Sequence, residues 1–128
     1  MEYTEEHAKK GLDIPLAKIE CFPNQFRERE YKIKIEIPEY TSVCPKTGLP
    51  DFGNITIEYI PDQLCVELKS LKMYLLAYRN IGIFYENAVN RIFEDFIKYV
   101  KPKWAKIKGK FNPRGGIYTE VEREYNIE

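Results

Sequence analysis

Apolar and polar residues alternate strictly in several segments of the chain, and this period of two predicts β-strands. In residues 31–37 (YKIKIEI) the apolar side chains all fall on one face and the charged ones on the other, which is typical of a strand buried on one side. Pro38 is expected to end this strand, because proline lacks the N–H group that continues a ladder. The same alternation is found in 54–60 (NITIEYI), 103–111 (KWAKIKGKF) and 117–125 (IYTEVEREY), and residues 64–68 (LCVEL) predict a shorter extended piece.

Between residues 70 and 100 the apolar residues are spaced by three and four, which predicts two helices. Ser70 is the expected N-cap of the first helix, 70–80, and Gly82 separates it from the second, 84–100, which Pro102 ends. The apolar stripe of the first helix comprises Leu71, Tyr74, Leu75 and Tyr78. That of the second comprises Val89, Ile92, Phe93, Phe96, Ile97 and Val100. Each stripe is wide enough to cover one face of a sheet.

The predicted order is strand, strand, helix, helix, strand, strand, which indicates an α+β fold. Two antiparallel hairpins form a sheet, and both helices cover one of its faces. Pro15 and Pro23 predict a mostly irregular segment over residues 1–30, and residues 40–53, with two prolines and two glycines, predict a long loop. No repeat or low-complexity linker divides the chain, so residues 1–128 are expected to form one domain. The sheet keeps open edges in this prediction, which favours self-association.

The composition excludes several classes of protein. Basic and acidic residues each number 20 in the 128 residues, so the chain has no electrostatic bias toward nucleic acid or an anionic membrane. No segment approaches the ~18 apolar residues of a membrane span, and the polar N-terminus lacks the core of a signal peptide, so a cytoplasmic location is expected. The three cysteines form no CxxC pair and suit a reducing compartment. The single histidine, His7, excludes a His-rich zinc site and a core Ser-His-Asp triad, and no metal is expected.

Cys44 and Asp51 lie together in the predicted loop and are candidates for covalent chemistry. A loop thiol is accessible and becomes a strong nucleophile when its pKa is lowered, which the neighbouring Lys46 would favour. A carboxyl group close by could pass protons. The alternative is a buried structural cysteine beside a turn-forming aspartate, and the spacing alone does not decide between the two.

A second candidate lies in VELKSLKMY, residues 66–74, at the predicted junction of an extended segment and a helix. Glu67, Lys69 and Lys72 cluster where the backbone N–H groups of a helix start point outward, and a dinucleotide phosphate could bind there. A solvated helix start is the alternative. No GxGxxG or P-loop motif occurs, so a nicotinamide cofactor would not bind in the Rossmann manner.

Two further charged residues have a functional and a structural interpretation. Glu86 falls in the first turn of the second predicted helix, where the macrodipole favours a carboxylate; it could instead accept the paired N–H donors of a guanine-like base. Arg114 lies between Pro113 and Gly115 in a stiff turn, which suits a guanidinium that binds phosphate. The lysines of the preceding strand are interpreted as a solvated face.

Four segments in this order, TSVCPKTGLPDF, VELKSLKMYL, FYENAVNRI and KFNPRGG, resemble the short form of the NADPH-dependent 7-cyano-7-deazaguanine reductases of queuosine biosynthesis. The resemblance extends from about Tyr31 to about Gly116. It implies the tunnelling fold (T-fold), whose sheets combine into barrels between subunits. It also implies a homo-oligomer, typically a decamer of two stacked pentamers, with active sites at subunit interfaces. NADPH is then the cofactor, and a deazapurine nitrile is reduced to an aminomethyl group.

The resemblance assigns roles to individual residues. Cys44 resembles the nucleophile that adds to the nitrile carbon and forms a thioimide, and Asp51 resembles the acid that protonates the nitrile nitrogen. Glu86 resembles the carboxylate that grips the N–H edge of the base. The other substrate-binding positions are Val66, Glu67, Leu68 and Tyr85. The cofactor-binding positions are Lys69, Ser70, Lys72, Arg114 and Gly115.

Tyr85 departs from the family pattern, which often has a histidine just before the substrate-binding glutamate. A phenol can donate a hydrogen bond, but its pKa of about 10 makes it a poor proton shuttle at neutral pH. Proton delivery is then left to Asp51, Tyr85 or water. Met73, where the family usually has Leu or Tyr, is expected to be neutral.

Two other functions fit part of the same pattern. An amidinotransferase of archaeosine synthesis shares the fold and the thioimide chemistry, but it lacks the cofactor signature VELKSLKMY. A non-catalytic purine-binding oligomer would result if Tyr85 disabled proton transfer. Zinc-dependent pterin enzymes of the fold need a cluster of histidine and cysteine ligands, which a chain with one histidine cannot supply.

Overall fold

The computed structural model describes residues 2–126, which form two hairpins of long strands around a helical region. The elements in chain order are α1 (Glu5–Lys9), β1 (Cys21–Pro23), β2 (Ile33–Val43), β3 (Pro50–Ile60), β4 (Leu64–Val66), α2 (Leu68–Leu76), α3 (Tyr85–Val100), β5 (Trp104–Arg114) and β6 (Ile117–Asn126). A 3₁₀ turn, Ala77–Asn80, follows α2 directly. The predicted order of strand, strand, helix, helix, strand, strand is confirmed for the long elements.

The four long strands pair antiparallel in one sheet, in the order β2-β3-β5-β6. The two hairpins meet along β3 and β5, where Ile57 lies opposite Ile107. β1 and β4 pair antiparallel as a separate two-stranded sheet, with Cys21 opposite Val66. Within residues 2–126, β2 and β6 are therefore the open edges of the long sheet.

The helices cover one face of the long sheet and the other face is charged, as the alternation predicts. The β3 and β5 residues on the covered face are buried; they are Ile55, Ile57, Tyr59, Ala105, Ile107 and Phe111. Every residue of the two predicted helical stripes is also buried except Ile97, which is partly buried at the rim of the core. Each such side chain contributes ~1.5–3 kcal/mol through burial. No helix within residues 2–126 combines the length and apolarity needed to cross a membrane.

The prediction that residues 1–30 are mostly irregular holds only in part, because a short helix and a short strand occur there. Thr4 caps α1, and its hydroxyl and backbone N–H are both hydrogen-bonded to His7. His7 therefore caps its own helix. This capping box was not recognised in the polar N-terminal sequence.

The prediction of a long loop over residues 40–53 is wrong, because β2 and β3 extend through most of this segment. Only residues 44–49 form the connecting turn. Pro38 does not end β2 as predicted. It is tolerated because β2 is an edge strand and the ladder is already irregular at this point.

β2 passes the proline through a β-bulge. Ile37 pairs with Ile55, whereas Tyr40 pairs with Gly53, so β2 has one residue more than β3 in this interval. The extra residue changes the phase of the side-chain alternation. Tyr40 and Ser42 consequently face the core, where an unbulged strand would turn them outward.

The prediction that Ser70 is the N-cap of the first long helix is also wrong. Glu67 is the N-cap of α2, and its carboxylate accepts hydrogen bonds from the N–H groups of Ser70 (2.7 Å) and Lys69 (3.0 Å). The Ser70 hydroxyl instead accepts a hydrogen bond from the Glu20 N–H at 2.8 Å. The N-cap therefore lies three residues earlier than the sequence suggests.

Candidate active site

Cys44 lies in the tight turn between β2 and β3, and its surroundings favour the thiolate. Its N–H donates to the Leu49 carbonyl at 2.8 Å, and its carbonyl accepts from the Gly48 N–H at 2.9 Å. Partial burial alone would raise the pKa of the thiol. Hydrogen bonds from the Thr47 hydroxyl and from the backbone N–H groups of Thr47 and Lys46 outweigh this and lower the pKa of Cys44 below its ordinary value. Cys44 is therefore a half-buried free thiol whose ionised form is favoured by its own turn.

Lys46 was predicted to lower the pKa of Cys44, and it does so through its backbone N–H rather than through its ammonium group. Lys46 Nζ donates to the Glu2 carbonyl at 3.1 Å and lies 5.6 Å from the centre of the Tyr3 ring. His7 is bonded to Thr4 of its own helix. The activation of Cys44 thus comes from the backbone and the Thr47 hydroxyl of its own turn.

Asp51, the second residue of β3, is 5% exposed and is held by side chains from two other elements. Tyr85, at the start of α3, donates its hydroxyl to Asp51 Oδ1 at 3.1 Å. Arg114, at the end of β5, forms an ion pair with the same oxygen and donates to the Pro50 carbonyl at 3.1 Å. The buried carboxylate is therefore both charge-compensated and hydrogen-bonded, as a buried charge must be.

Tyr85 is held rigidly above the sheet. Its ring stacks on Phe111 with 4.0 Å between centroids and 8° between planes. Gly53 makes room for this stack, because a Cβ there would lie 2.8 Å from the Phe111 ring. Burial, followed by the charge of Asp51, raises the pKa of Tyr85 above its ordinary value, so the phenol stays protonated at neutral pH. Tyr85 reaches Asp51 as a hydrogen-bond donor rather than as a group that titrates.

Cys44 and Asp51 lie at the same end of the β2–β3 hairpin. Ser42 pairs with Asp51 and Val43 with Pro50, so Cys44 is two residues beyond the position opposite the carboxylate. The thiol borders a surface depression of about 610 Å³. The walls of this depression are formed by the turn itself, by Gly82, and by Lys10, Gly11, Asp13 and Ile14 of the N-terminal segment.

These N-terminal residues near Cys44 gave no functional signal in the sequence. Arg91 of α3 holds them in place, because its guanidinium donates to the carbonyls of Gly11 and Ile14. Gly11 has a φ of +86° and packs so closely on Ile83 that a Cβ would lie 2.7 Å from that side chain. The only sign in the sequence is a glycine within a polar segment, which can mark a left-handed turn.

Glu86 follows Tyr85 in the first turn of α3 and is exposed. Its carboxylate is therefore on the same end of the molecule as Cys44 and Asp51 and is accessible to a ligand. Within residues 2–126, no three His, Cys, Asp or Glu side chains are grouped to hold a metal ion.

Gly115 follows Arg114 in the turn between β5 and β6, whereas the remaining predicted site residues lie around the start of α2, at the opposite end of β2. The Val66 N–H donates to the Tyr59 hydroxyl at 3.0 Å, and Tyr59 pairs with Ile33, the first residue of β2. Val66, Glu67 and Leu68 line an open groove of about 720 Å³, together with phenylalanines of the N-terminal segment.

The two groups of site residues do not meet within one chain. β2 runs from Ile33, near Glu67, to Val43, beside Cys44. At ~3.3 Å per residue these ends are roughly 30 Å apart. A single base cannot contact Glu67 and Cys44 of the same chain.

The predicted cofactor-binding residues around α2 expose lysine side chains to solvent, whereas the backbone N–H groups at the start of the helix are already hydrogen-bonded. The Glu67 carboxylate occupies the N–H groups of Lys69 and Ser70, and these hydrogen bonds lower the pKa of Glu67. Lys69 and Lys72 are exposed. Beside them, a groove of about 470 Å³ runs between β2 and α2, with a floor of leucines and with Lys72 and Arg79 in its lining. Arg79 was not singled out from the sequence.

Comparison with known proteins identifies the family. The family model described as QueF-like protein matches residues 50–128. The chain belongs to the QueF-like family. The NADPH-dependent 7-cyano-7-deazaguanine reductase of Elusimicrobium minutum is 58% identical over 123 residues, which cover 96% of this chain and 92% of the relative. The enzyme of the same name from Chloroherpeton thalassium is 59% identical over 110 residues, covering 86% of this chain and 95% of the relative. The resemblance noted in the sequence is thereby confirmed.

A solved structure of the QueF-like family has the same fold. The crystal structure of the archaeosine synthase QueF-Like in the apo form superimposes with a TM-score of 0.64 at 25% identity, covering 74% of this chain and 91% of that chain. The predicted α+β tunnelling fold is confirmed by this likeness together with the antiparallel sheet and its one helical layer.

Proposed function

We propose that the chain reduces the nitrile group of 7-cyano-7-deazaguanine to an aminomethyl group with NADPH, the nitrile reductase step of queuosine biosynthesis. Relatives that span most of the chain are NADPH-dependent 7-cyano-7-deazaguanine reductases, and this chain is an oxidoreductase of the same family. The observation that carries the proposal is the thiol of Cys44, whose pKa is lowered at the hairpin end that also holds the buried carboxylate of Asp51.

Cys44 makes the nitrile reducible by a covalent step. Its sulfur forms a bond to the nitrile carbon while one π bond of the C≡N group breaks, and the electron pair moves to nitrogen, which takes up a proton. The product is a thioimide, whose carbon is a better electrophile than that of a nitrile. NADPH, when bound, would supply two hydrides and solvent two protons: the first hydride would go to the thioimide carbon, whose C–S bond then breaks to give an imine and the Cys44 thiolate, and the second would complete the aminomethyl group.

Asp51 manages the proton in this step. Asp51 lies at the same end of the hairpin as Cys44. As a carboxylate, it takes the proton of the Cys44 thiol and delivers it to the nitrile nitrogen, so no net proton is consumed in the addition. Tyr85 and Arg114 hold the carboxylate in the free protein, and Tyr85 keeps its hydrogen bond during this transfer. Tyr85 acts through its hydrogen bond to Asp51, because its raised pKa keeps the phenolic proton in place at neutral pH.

The base is read by carboxylates from two chains in this proposal. Glu86 lies at the Cys44 end of its chain, whereas Val66, Glu67 and Leu68 lie at the other end of β2, roughly 30 Å away. A complete site therefore combines the Cys44 end of one subunit with the Glu67 end of another. Buried hydrogen bonds donated by the base to both carboxylates would discriminate strongly against bases without the matching N–H groups.

A head-to-tail oligomer follows from the open edges of the sheet. The charged face of β2 carries Lys34 and Glu36, which pair at 3.8 Å, whereas that of β6 carries Glu120, Glu122 and Glu124. Pairing of β6 in one subunit with β2 in the next would extend the sheet around a ring, with Lys34 as the cation of β2 for the glutamates of β6. Two stacked pentamers, a decamer, is the arrangement implied by the resemblance in sequence.

The residues present fit NADPH by their charge and shape. Lys69 and Lys72 are exposed cations beside the leucine-floored groove, which offers apolar surface for a flat ring and ammonium groups for phosphates. Gly115 has a φ of +60°, and no atom of residues 2–126 other than its chain neighbours lies within 4 Å of where its Cβ would be, so a ligand can approach that backbone closely. Arg114 beside it uses only Nη1 for Asp51 and Pro50, so a phosphate can bind its other N–H groups and compete with Asp51 for the guanidinium. The Ser70 hydroxyl is engaged with Glu20 and Glu67 and is the weakest of the predicted cofactor contacts.

We further propose that residues 1–128 act as one T-fold domain in the cytoplasm. The single buried cluster that joins the helices to both hairpins supports the first statement. The three free cysteines suit a reducing compartment and support the second.

An amidinotransferase is the second candidate function, because the solved structure that matches is named an archaeosine synthase. Such an enzyme would form the same thioimide and then accept ammonia without using NADPH. The higher identity to reductases, 58% against 25%, favours the reductase. A binding protein without turnover is a third outcome, and it too would leave NADPH unused.

NADPH consumption on addition of 7-cyano-7-deazaguanine to the oligomeric protein tests the proposal. We expect two molecules of NADPH to be oxidised for each nitrile, because reduction of a nitrile to an amine takes four electrons. A thioimide adduct without NADPH oxidation would support the amidinotransferase. Neither adduct nor oxidation would remove the catalytic function from Cys44.

A further inference from the structure

Two buried hydroxyl groups next to Asp51 have no hydrogen-bond partner within residues 2–126. Tyr40 is 2% exposed and Ser42 0% exposed, and neither side-chain oxygen forms a hydrogen bond of ordinary geometry within residues 2–126, although the Ser42 hydroxyl lies near enough to Tyr40 to act on its pKa. Both face the core because of the bulge in β2. Most buried polar side chains in proteins are paired, and an unpaired one is unfavourable. Two adjacent unpaired hydroxyls beside a candidate catalytic carboxylate point to a partner acquired during the reaction.

Ser42 is placed to be that partner of Asp51. The two residues lie directly opposite each other on β2 and β3, on the same face of the sheet. Side chains in such a cross-strand pair have Cβ atoms about 4.5–5.5 Å apart. The hydrogen bonds from Tyr85 and Arg114 both use Asp51 Oδ1, which leaves Oδ2 for a further donor.

Tyr40 supports Ser42 from the next position on the same face. Its ring packs against Tyr78 and Phe111, with centroid distances of 5.8 Å and 6.0 Å. Burial raises the pKa of Tyr40 far above its ordinary value, so its hydroxyl keeps its proton. The hydroxyls of Tyr40 and Ser42 thus lie one after the other on the same face of the sheet, and Asp51 is the carboxylate beside them.

We propose that Ser42, backed by Tyr40, is a positioning residue for Asp51, to whose Oδ2 it donates a hydrogen bond when the carboxylate turns from Arg114 toward the nitrile. This inference rests on the proposed function. In the free protein Arg114 holds the carboxylate toward the β5–β6 turn. When a ligand phosphate draws Arg114 away, the Ser42 hydroxyl replaces it as a donor and fixes Asp51 for proton transfer. Ser42 keeps its own proton throughout.

Stability and activity should respond in opposite ways to the loss of this hydroxyl. Ser42→Ala removes a group that is unpaired in the free protein, so we expect the free energy of unfolding to stay equal or to rise. The same change should lower kcat about tenfold, the equivalent of ~1.4 kcal/mol, with KM for the nitrile nearly unchanged. Tyr40→Phe keeps the ring and should change both quantities in the same directions, with a smaller fall in kcat. A hydroxyl that served only the fold would lower stability when removed.

The experiment measures kcat and KM by NADPH consumption, and unfolding by urea, for the oligomeric wild-type protein, Ser42→Ala and Tyr40→Phe. Thr56→Val is the matched control, because this hydroxyl lies on the charged face of the sheet, away from the proposed site. A lower kcat together with a free energy of unfolding equal to or above that of the wild type for Ser42→Ala, with an unaffected control, would support the positioning role. An unchanged kcat, or a fall in stability that parallels the fall in kcat, would overturn it. A wild-type protein that consumes no NADPH would overturn the proposed function itself, and the positioning role with it.

Discussion

Replacement of Tyr85 by phenylalanine isolates the hydrogen bond that fixes Asp51. The change removes one oxygen, which donates to Asp51 Oδ1 at 3.1 Å, and keeps the ring that stacks on Phe111. A hydrogen bond to a charged group contributes ~1.5–3 kcal/mol. Because Asp51 keeps a second donor, Arg114 in the free protein and Ser42 in the proposed reaction, the lower end of this range applies, and ~1.5 kcal/mol corresponds to a fall in kcat of roughly tenfold.

The assay is steady-state NADPH consumption at saturating nitrile. Tyr99→Phe is the matched control, because Tyr99 is a partly buried tyrosine of the same helix, roughly 21 Å further along its axis. Tyr85→His should retain kcat, since an imidazole can donate the same hydrogen bond and also titrates near neutral pH. A Tyr85→Phe variant with the kcat of the wild type would refute the role of this hydrogen bond in positioning Asp51.

Three further predictions follow from the site. Thr47→Val removes a hydrogen bond that lowers the pKa of Cys44, so the midpoint of the pH profile for alkylation of Cys44 by iodoacetamide should move upward. Cys21, whose pKa burial raises, serves as the internal comparison. An unmoved Cys44 profile would contradict the contribution of Thr47 to the pKa of Cys44. Glu86→Gln should raise KM for the nitrile about tenfold or more, because one charged acceptor for the base is lost; Glu94→Gln on the same helix is the control, and an equal KM would remove Glu86 from the base site. Arg91→Met should free residues 10–14 and lower the free energy of unfolding by ~1–3 kcal/mol in urea, whereas unchanged stability would show that these bonds contribute little.

The sequence predicts the long elements where one periodicity is uninterrupted. In β5 the alternation of apolar residues with lysines matches the buried and exposed faces residue by residue. The alternation does not predict the full length of β2, because the bulge after Ile37 reverses its phase and the prolines that follow are typical of a loop. A bulge depends on pairing with β3, which no local pattern of β2 contains. The start of α2 was missed for a related reason: Ser70 looks like a cap, but the side chain that reaches the free N–H groups is that of Glu67.

For the site, local motifs predicted individual residues but not how they are arranged. Cys44 and Asp51 share one hairpin, so their proximity could be expected from the sequence. The pairing of Arg114 with Asp51 depends on β5 lying beside β3, a long-range contact that replaces the phosphate contact expected for a free guanidinium. Glu67 appears in a motif close to that of Cys44 along the chain, yet the length of β2 separates them in space.

Intact-mass spectrometry tests the central claim, covalent capture of the nitrile by Cys44, most directly. Wild-type protein and Cys44→Ala are incubated with 7-cyano-7-deazaguanine in the absence of NADPH, and the mass of each chain is measured before and after proteolytic mapping. We expect the wild-type chain to gain the full mass of the base, on the peptide that contains Cys44, and the variant to gain nothing. Wild-type protein without the added mass, or an adduct on both the wild-type protein and Cys44→Ala, would contradict covalent capture of the nitrile by Cys44.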